Sequence, residues 1–242
     1  MKPNGLILGL VAVLALTACT KKTQILSGER EGIREVLQSE AARAQASVTP
    51  ENQVLPVSLP AATVNAEWRQ RIGTPGTRTA HPALSRAPQL AWSVNIGQGD
   101  GRRVRITADP VVAEGRIFTL DAEAKVAAVS TTGQLLWTRD ITPANDNSDN
   151  ASGGGLAYGD GKLFVSSAFG KLTAIDPASG GVIWEQELGA PGSGTPAVLD
   201  GLVYVVSGDD VAWAIETDTG RIAWQLSGTP DIHNVLGGPA PA

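Results

Sequence analysis

The stretch AIDPASGGVIW, residues 174–184, has a near-duplicate in AIETDTGRIAW at 214–224. Each runs from a short apolar segment through a polar turn, with glycine at 180 or 220, to a tryptophan at 184 or 224. A shorter version, AVSTTGQLLW, occupies 128–137, and an earlier tryptophan stands at 92. Trp92, Trp137, Trp184 and Trp224 are 45, 47 and 40 residues apart, a period that suits the blades of a propeller better than the strands of a sandwich. Counting back from each tryptophan, Gly133, Gly180 and Gly220 stand four residues before it, and Ala174 and Ala214 ten before. In the first copy Ala128 is nine before. One deleted residue between Ala128 and Gly133 accounts for this. With it allowed, the aromatics of GRIF, GKLF and GLVY (Phe118, Phe164, Tyr204) fall in one register, as do Gly115, Gly161 and Gly201 three residues ahead of them.

Each copy reads as a four-stranded antiparallel meander. In the second, LAYG (156–159), KLFVSS (162–167), KLTAID (171–176) and VIWEQEL (182–188) are the expected strands, with a tight Asp-Gly hairpin at 160–161. Such a blade buries only one face against each neighbour, so blades must stack around an axis. The tryptophan then has a physical role, because an indole removes about 150–250 Å² from water when it is wedged between blades. Trp92, Trp137, Trp184, Trp224, Gly133, Gly180 and Gly220 are therefore structural docking positions rather than a catalytic set.

Composition agrees with an all-β class. The 242 residues include 28 glycines and 15 prolines, with 42% hydrophobic content, enough for a core. Only 18% of residues are charged and the net charge is −5, with no basic stripe, which argues against nucleic acid as a partner.

The N-terminus has a different character. Met1 and Lys2 precede the apolar run GLILGLVAVLAL (5–16), too short to span a bilayer and suited to an export signal over residues 1–18. The Leu-Thr-Ala-Cys at 16–19 resembles the lipobox of bacterial lipoproteins, and that resemblance implies cleavage before Cys19 and acylation, palmitate included, of its thiol and amino group. Cys19 is the only cysteine, so the chain forms no internal disulfide. Thr20 and Lys21 follow it without the aspartate that marks inner-membrane retention in enteric lipoproteins, which points to the outer membrane, facing the periplasm. Residues 19–65 read as a lipidated tether with a marginal helix over 27–46 and a proline-rich extended run at 49–63. Residues 66–242 form the repeat domain.

AIDPASGGVIW and AIETDTGRIAW resemble the tryptophan-docking repeat, Ala-x-Asp-x-x-Thr-Gly-x-x-x-Trp, of the pyrroloquinoline-quinone-type eight-bladed propellers. Ser179 and Gly181 depart from that pattern, Glu216 replaces its Asp, and Ser130 stands there in the first copy. With a lipobox ahead of the repeats, and with WRQRIGTPGTRTAHPAL (68–84) leading into LAWSVNIG (90–97), the chain resembles the BamB family of outer-membrane assembly lipoproteins. The eight-bladed ring that this resemblance implies needs roughly 350 residues. Residues 66–242 supply about four blades, and GGPAPA (237–242) aligns with the opening strand SGTPAV (193–198), so a partial, N-terminal sequence is expected.

The resemblance implies a non-enzymatic subunit of the outer-membrane β-barrel assembly (BAM) complex. It would aid folding and insertion of outer-membrane proteins by binding the periplasmic POTRA domains of BamA, and also nascent outer-membrane proteins, without a cofactor. The alternatives are a quinoprotein dehydrogenase, which shares the repeat, or a propeller lipoprotein with another envelope partner. In the BamB family a Leu-x-Leu-Arg-Gly run before a blade's opening strand belongs to the partner surface. DIHNVLGG (231–238) occupies that place, with His233, Val235 and Leu236 at the matching positions, and only Val235 keeps its character.

Other chemical motifs are weak. NDNSDN (145–150) has a hint of calcium-loop spacing, but Ala151 stands where glycine is needed and Ala157 where the bidentate glutamate is needed, so a solvated loop is expected. GQGDG (97–101) and GSG (192–194) have no helix pattern after them to present amides to phosphate. His81 and His233, the only histidines, have no cysteine or serine nucleophile in motif context, so neither zinc nor a catalytic triad is supported.

Overall fold

The computed structural model describes residues 56–71, 81–150, 152–192, 194–229 and 241. Nearly all of these lie in the unit Ser58–Ala242, the larger of two compact units into which the chain divides. The export signal, Cys19, the helix expected over 27–46 and the loop with His233, Val235 and Leu236 lie outside the described residues.

Three four-stranded antiparallel sheets follow one another in the chain, each a simple meander. Sheet 1 comprises β1 (Val111–Ala113), β2 (Arg116–Leu120), β3 (Lys125–Ser130) and β4 (Leu135–Asp140). Sheet 2 comprises β5 (Gly154–Gly159), β6 (Lys162–Ser167), β7 (Lys171–Ile175) and β8 (Val182–Glu187). Sheet 3 comprises β9 (Ala197–Leu199), β10 (Leu202–Val206), β11 (Val211–Glu216) and β12 (Ile222–Ser227). The fold is a β-propeller of stacked blades, and the described residues contain no helix.

Local chemistry fixes the hairpins. The first two strands of each blade are joined by Glu114-Gly115, Asp160-Gly161 or Asp200-Gly201, and both residues of each pair have positive φ. That is the two-residue turn whose twist matches the flanking strands, and it favours Asp-Gly and related pairs.

The core is built by alternation. From the middle sheet, Leu156, Tyr158, Leu163, Val165 and Ile175 join Val111, Phe118, Leu120 and Val126 of sheet 1 in one buried cluster. The intervening residues Ala157, Phe164, Leu172 and Ala174 join Val198, Val203, Val205 and Ile215 of sheet 3 in a second cluster. A strand's side chains alternate between faces, so sheet 2 is covered on both sides and every residue of β5 is buried. The first strands of successive sheets lie against one another, whereas the fourth strands share no such contact, so the blades fan outward from a hub of first strands. At that hub, residues 68–71 lie across the first strands, and Trp68 makes an antiparallel bridge to Val112.

The segment of the earlier tryptophan, Trp92, differs from the three copies of the motif. Trp92 sits in residues 83–100, which form no strand, although the segment is held to sheet 1 by side-chain contacts. Among the described residues it has no neighbouring strand with which to form a ladder.

Candidate functional site

The repeat motif forms one recurring contact. In β2, β3 and β4 the register aligns Phe118, Ala128 and Trp137 across the sheet. Sheet 2 aligns Phe164, Ala174 and Trp184 in the same way, and sheet 3 aligns Tyr204, Ala214 and Trp224. The alanine is fully buried and too short to separate the rings on either side of it. The paired rings therefore meet over it, with centroids 6.0 Å, 5.7 Å and 6.0 Å apart in the three blades. In each sheet a β-bulge follows the alanine directly. A bulge bends the strand and strengthens its local twist.

Each docked tryptophan reaches the next turn in the series. Trp92 Nε1 donates to the Thr131 carbonyl at 3.1 Å, Trp137 Nε1 to the Pro177 carbonyl at 3.1 Å, and Trp184 Nε1 to the Thr217 carbonyl at 3.0 Å. The ring of each covers the glycine of that same turn. A Cβ on Gly133 would come within 2.7 Å of the Trp92 ring, on Gly180 within 2.7 Å of Trp137, and on Gly220 within 2.8 Å of Trp184. These glycines also have φ of 88°, 71° and 72°. Two independent causes, a close ring and a left-handed backbone, thus exclude a side chain there. Arg139 adds a further tie, donating from Nε to the Gly180 carbonyl at 2.6 Å.

The missing residue of the first copy is visible in its turn. The Gly180 and Gly220 amides donate to the carbonyls of Asp176 and Glu216, four residues earlier, whereas the Gly133 amide donates to Ser130, three earlier. Ser130 nonetheless does the work of Asp176 and Glu216, since the amide of each closes the turn onto Gln134, Gly181 or Arg221. Asp176 also accepts from the Ser179 hydroxyl and the amides of Ser179 and Ala178, and these bonds hold its carboxyl below the usual aspartate range.

Several polar residues that the repeat pattern does not mark tie the blades together. Asp121, 4% exposed, accepts from the amides of Gln98, Glu123 and Lys125, and so pins the glycine-rich segment 97–101 to sheet 1. Its only sequence signal is an Asp at the end of a strand, the usual start of an Asx turn. Lys162 pairs with Asp218 at 2.7 Å, and the Thr217 hydroxyl donates to Asp160 at 2.8 Å, joining sheet 2 to the turn on which Trp184 docks. Tyr158 donates to Glu114 at 2.5 Å and lies under the Arg69 guanidinium, 5.7 Å from the ring centre. Burial first, and then this hydrogen bond, push the Tyr158 hydroxyl up to about 12.

The loop 145–150 is tied internally, with Asp146 accepting from the Asn147 amide and the Asn150 side chain. His81 Nδ1 lies 2.9 Å from the Pro60 carbonyl, in a segment whose backbone pairs with Thr63. Among the described residues no three His, Cys, Asp or Glu side chains are grouped so as to hold a metal ion. What this surface offers a partner is strand edge and apolar area. The fourth strands expose Leu135 and Leu136, Val182 and Ile183, and Ile222, Trp224 and Leu226.

The sequence profile of a family described as outer membrane protein assembly factor BamB matches residues 122–242, half of the chain. The chain belongs to this BamB family. Its BamB relative from Moranella endobia is 25% identical over 161 residues, covering 64% of this chain and 41% of that protein. The same repeats also give a match to the quinohemoprotein alcohol dehydrogenase of Comamonas testosteroni, 32% identical over 162 residues, with 58% of this chain and 22% of that enzyme covered. The crystal structure of the Comamonas enzyme superposes with a TM-score of 0.53 at 24% identity, over 68% of this chain and 28% of that one, a likeness of fold. This BamB-family chain therefore spans about two fifths of the Moranella protein and less of the dehydrogenase.

Proposed function

We propose that this chain is a non-enzymatic scaffold of the outer-membrane β-barrel assembly machinery, anchored by lipid at Cys19 and facing the periplasm. In this reading it binds the POTRA domains of BamA and presents its outer strand edges to nascent outer-membrane proteins. The observation that carries it is the BamB family match over residues 122–242, joined to the lipobox-like Leu-Thr-Ala-Cys at 16–19. The exposed apolar fourth strands favour a protein partner, because strand edges and apolar side chains are recognised by strand addition.

A second reading, a quinoprotein dehydrogenase, draws on the Comamonas match. That reading requires a Ca²⁺ and quinone centre, and the chain spans about a fifth of that enzyme. The tryptophans and glycines of the motif serve the packing between blades in either reading. The two readings separate in one experiment. A tagged chain expressed in a Gram-negative host should recover BamA from solubilised membranes and show no dye-linked alcohol oxidation after incubation with quinone and Ca²⁺. Oxidation without BamA recovery would reverse the assignment. Replacing Cys19 with Ser should release the protein from the membrane fraction; an acylated, membrane-bound C19S protein would remove the anchor.

A further inference from the structure

Three backbone amides at the hub occupy one equivalent position. Val111 pairs with Phe118, Ala157 with Phe164 and Ala197 with Tyr204, so Val112, Tyr158 and Val198 are the next residue along in three successive blades. Their N–H groups point away from the second strand, toward the hub. An unpaired row of this kind on a sheet edge needs either water or another strand.

In this chain three consecutive residues meet that row, one for each blade. The Trp68 carbonyl accepts from the Val112 amide at 2.8 Å, and the Trp68 amide donates back to the Val112 carbonyl at 2.7 Å. The Arg69 carbonyl accepts from the Tyr158 amide at 2.6 Å. Gln70 completes the series with its side chain, its Oε1 accepting from the Val198 amide at 3.0 Å. Gln70 is 3% exposed, although it belongs to a segment of otherwise half-buried and exposed residues. On either side, Arg69 pairs with Glu67 at 2.7 Å and Arg71 with Asp109 at 3.6 Å. Arg69 also lies over the Tyr158 ring.

We propose that residues 68–70 are an axial staple, a strap of the chain's own backbone that fixes the spacing of three blades and closes their inner edges to strand addition. One residue of the strap meets each blade, so three blades need three acceptors in succession. Two backbone carbonyls supply the first two, and a buried amide side chain reaches the third. A partner strand is thereby directed to the outer strands, whose edges stay open among the described residues.

Amide hydrogen exchange on the whole chain, read residue by residue, tests the staple. The Val112, Tyr158 and Val198 amides should exchange about 100-fold or more slowly than unpaired loop amides. Gln70→Leu keeps the volume and removes the acceptor, and should speed the Val198 amide about 10-fold or more while Val112 and Tyr158 stay slow. Gln70→Glu retains an acceptor oxygen and should keep Val198 slow. Fast exchange at all three positions in the unsubstituted chain would overturn the staple, even if Gln70→Leu did not fold. So would a Val198 amide that stays slow in a folded Gln70→Leu protein.

Discussion

Trp184 and Trp224 occupy the same position of the same repeat, opposite Ala174 and Ala214, and each rests against the aromatic ring of its own blade. Their surroundings differ. Trp184 is half-buried and donates to Thr217 over Gly220 in the following blade. Trp224 is 46% exposed, on a strand whose residues are all exposed, and no described turn lies over its ring. The motif thus makes a tryptophan available, and the neighbouring blade converts it into a stabilising contact.

Substitutions separate the two tryptophans. Trp184→Ala should cost about 2–4 kcal/mol, somewhat below the usual range for a fully buried aromatic because the ring is only half-buried. It is checked by the shift in urea midpoint. Gly220→Ala should cost about 2 kcal/mol, from a positive φ and from displacement of the Trp184 ring. Its marker is a red shift of tryptophan emission, and Trp184→Ala combined with Gly220→Ala should lose less than the sum of the two. Trp224→Ala should cost less than about 1 kcal/mol. A loss as large as that of Trp184→Ala would show that the two tryptophans are equivalent after all.

The smallest effect concerns the turn beneath Trp137. The Ser179 hydroxyl and amide depress the Asp176 carboxyl below its ordinary 3.8. A group with a depressed folded pKa stabilises the fold above its unfolded value and loses that contribution as the pH falls through the folded one. Stability should therefore decline below about pH 4, and Ser179→Ala should flatten that decline. Equal acid sensitivity in the two proteins, measured by urea denaturation between pH 5 and pH 2.5, would remove Asp176 as a contributor.

Much of the architecture was legible because it repeats. A glycine four residues before Trp137, Trp184 and Trp224, and an alanine nine or ten before, are enough to place the last two strands of each blade and their turn, since the register of a hairpin follows from its turn. The Asp-Gly pair at 160–161 was equally readable, having one favoured geometry. The one-residue deletion after Ala128 was readable too, and appears as the shorter hydrogen-bonded turn at Ser130. Asp121 and Gln70 were not legible, because a lone polar residue outside a repeat carries no sign of what it will meet.

Local chemistry along the chain sets the blade: strand order, hairpin turns and the row of aromatic, alanine and tryptophan across each sheet. These depend on alternation and on backbone preferences within about 40 residues. Which tryptophan is docked, which is open, and where residues 68–70 lie are set by packing between blades. Those outcomes come from contacts between segments far apart in the chain, such as Gln70 with Val198, and local preference has no influence over a partner 128 residues away.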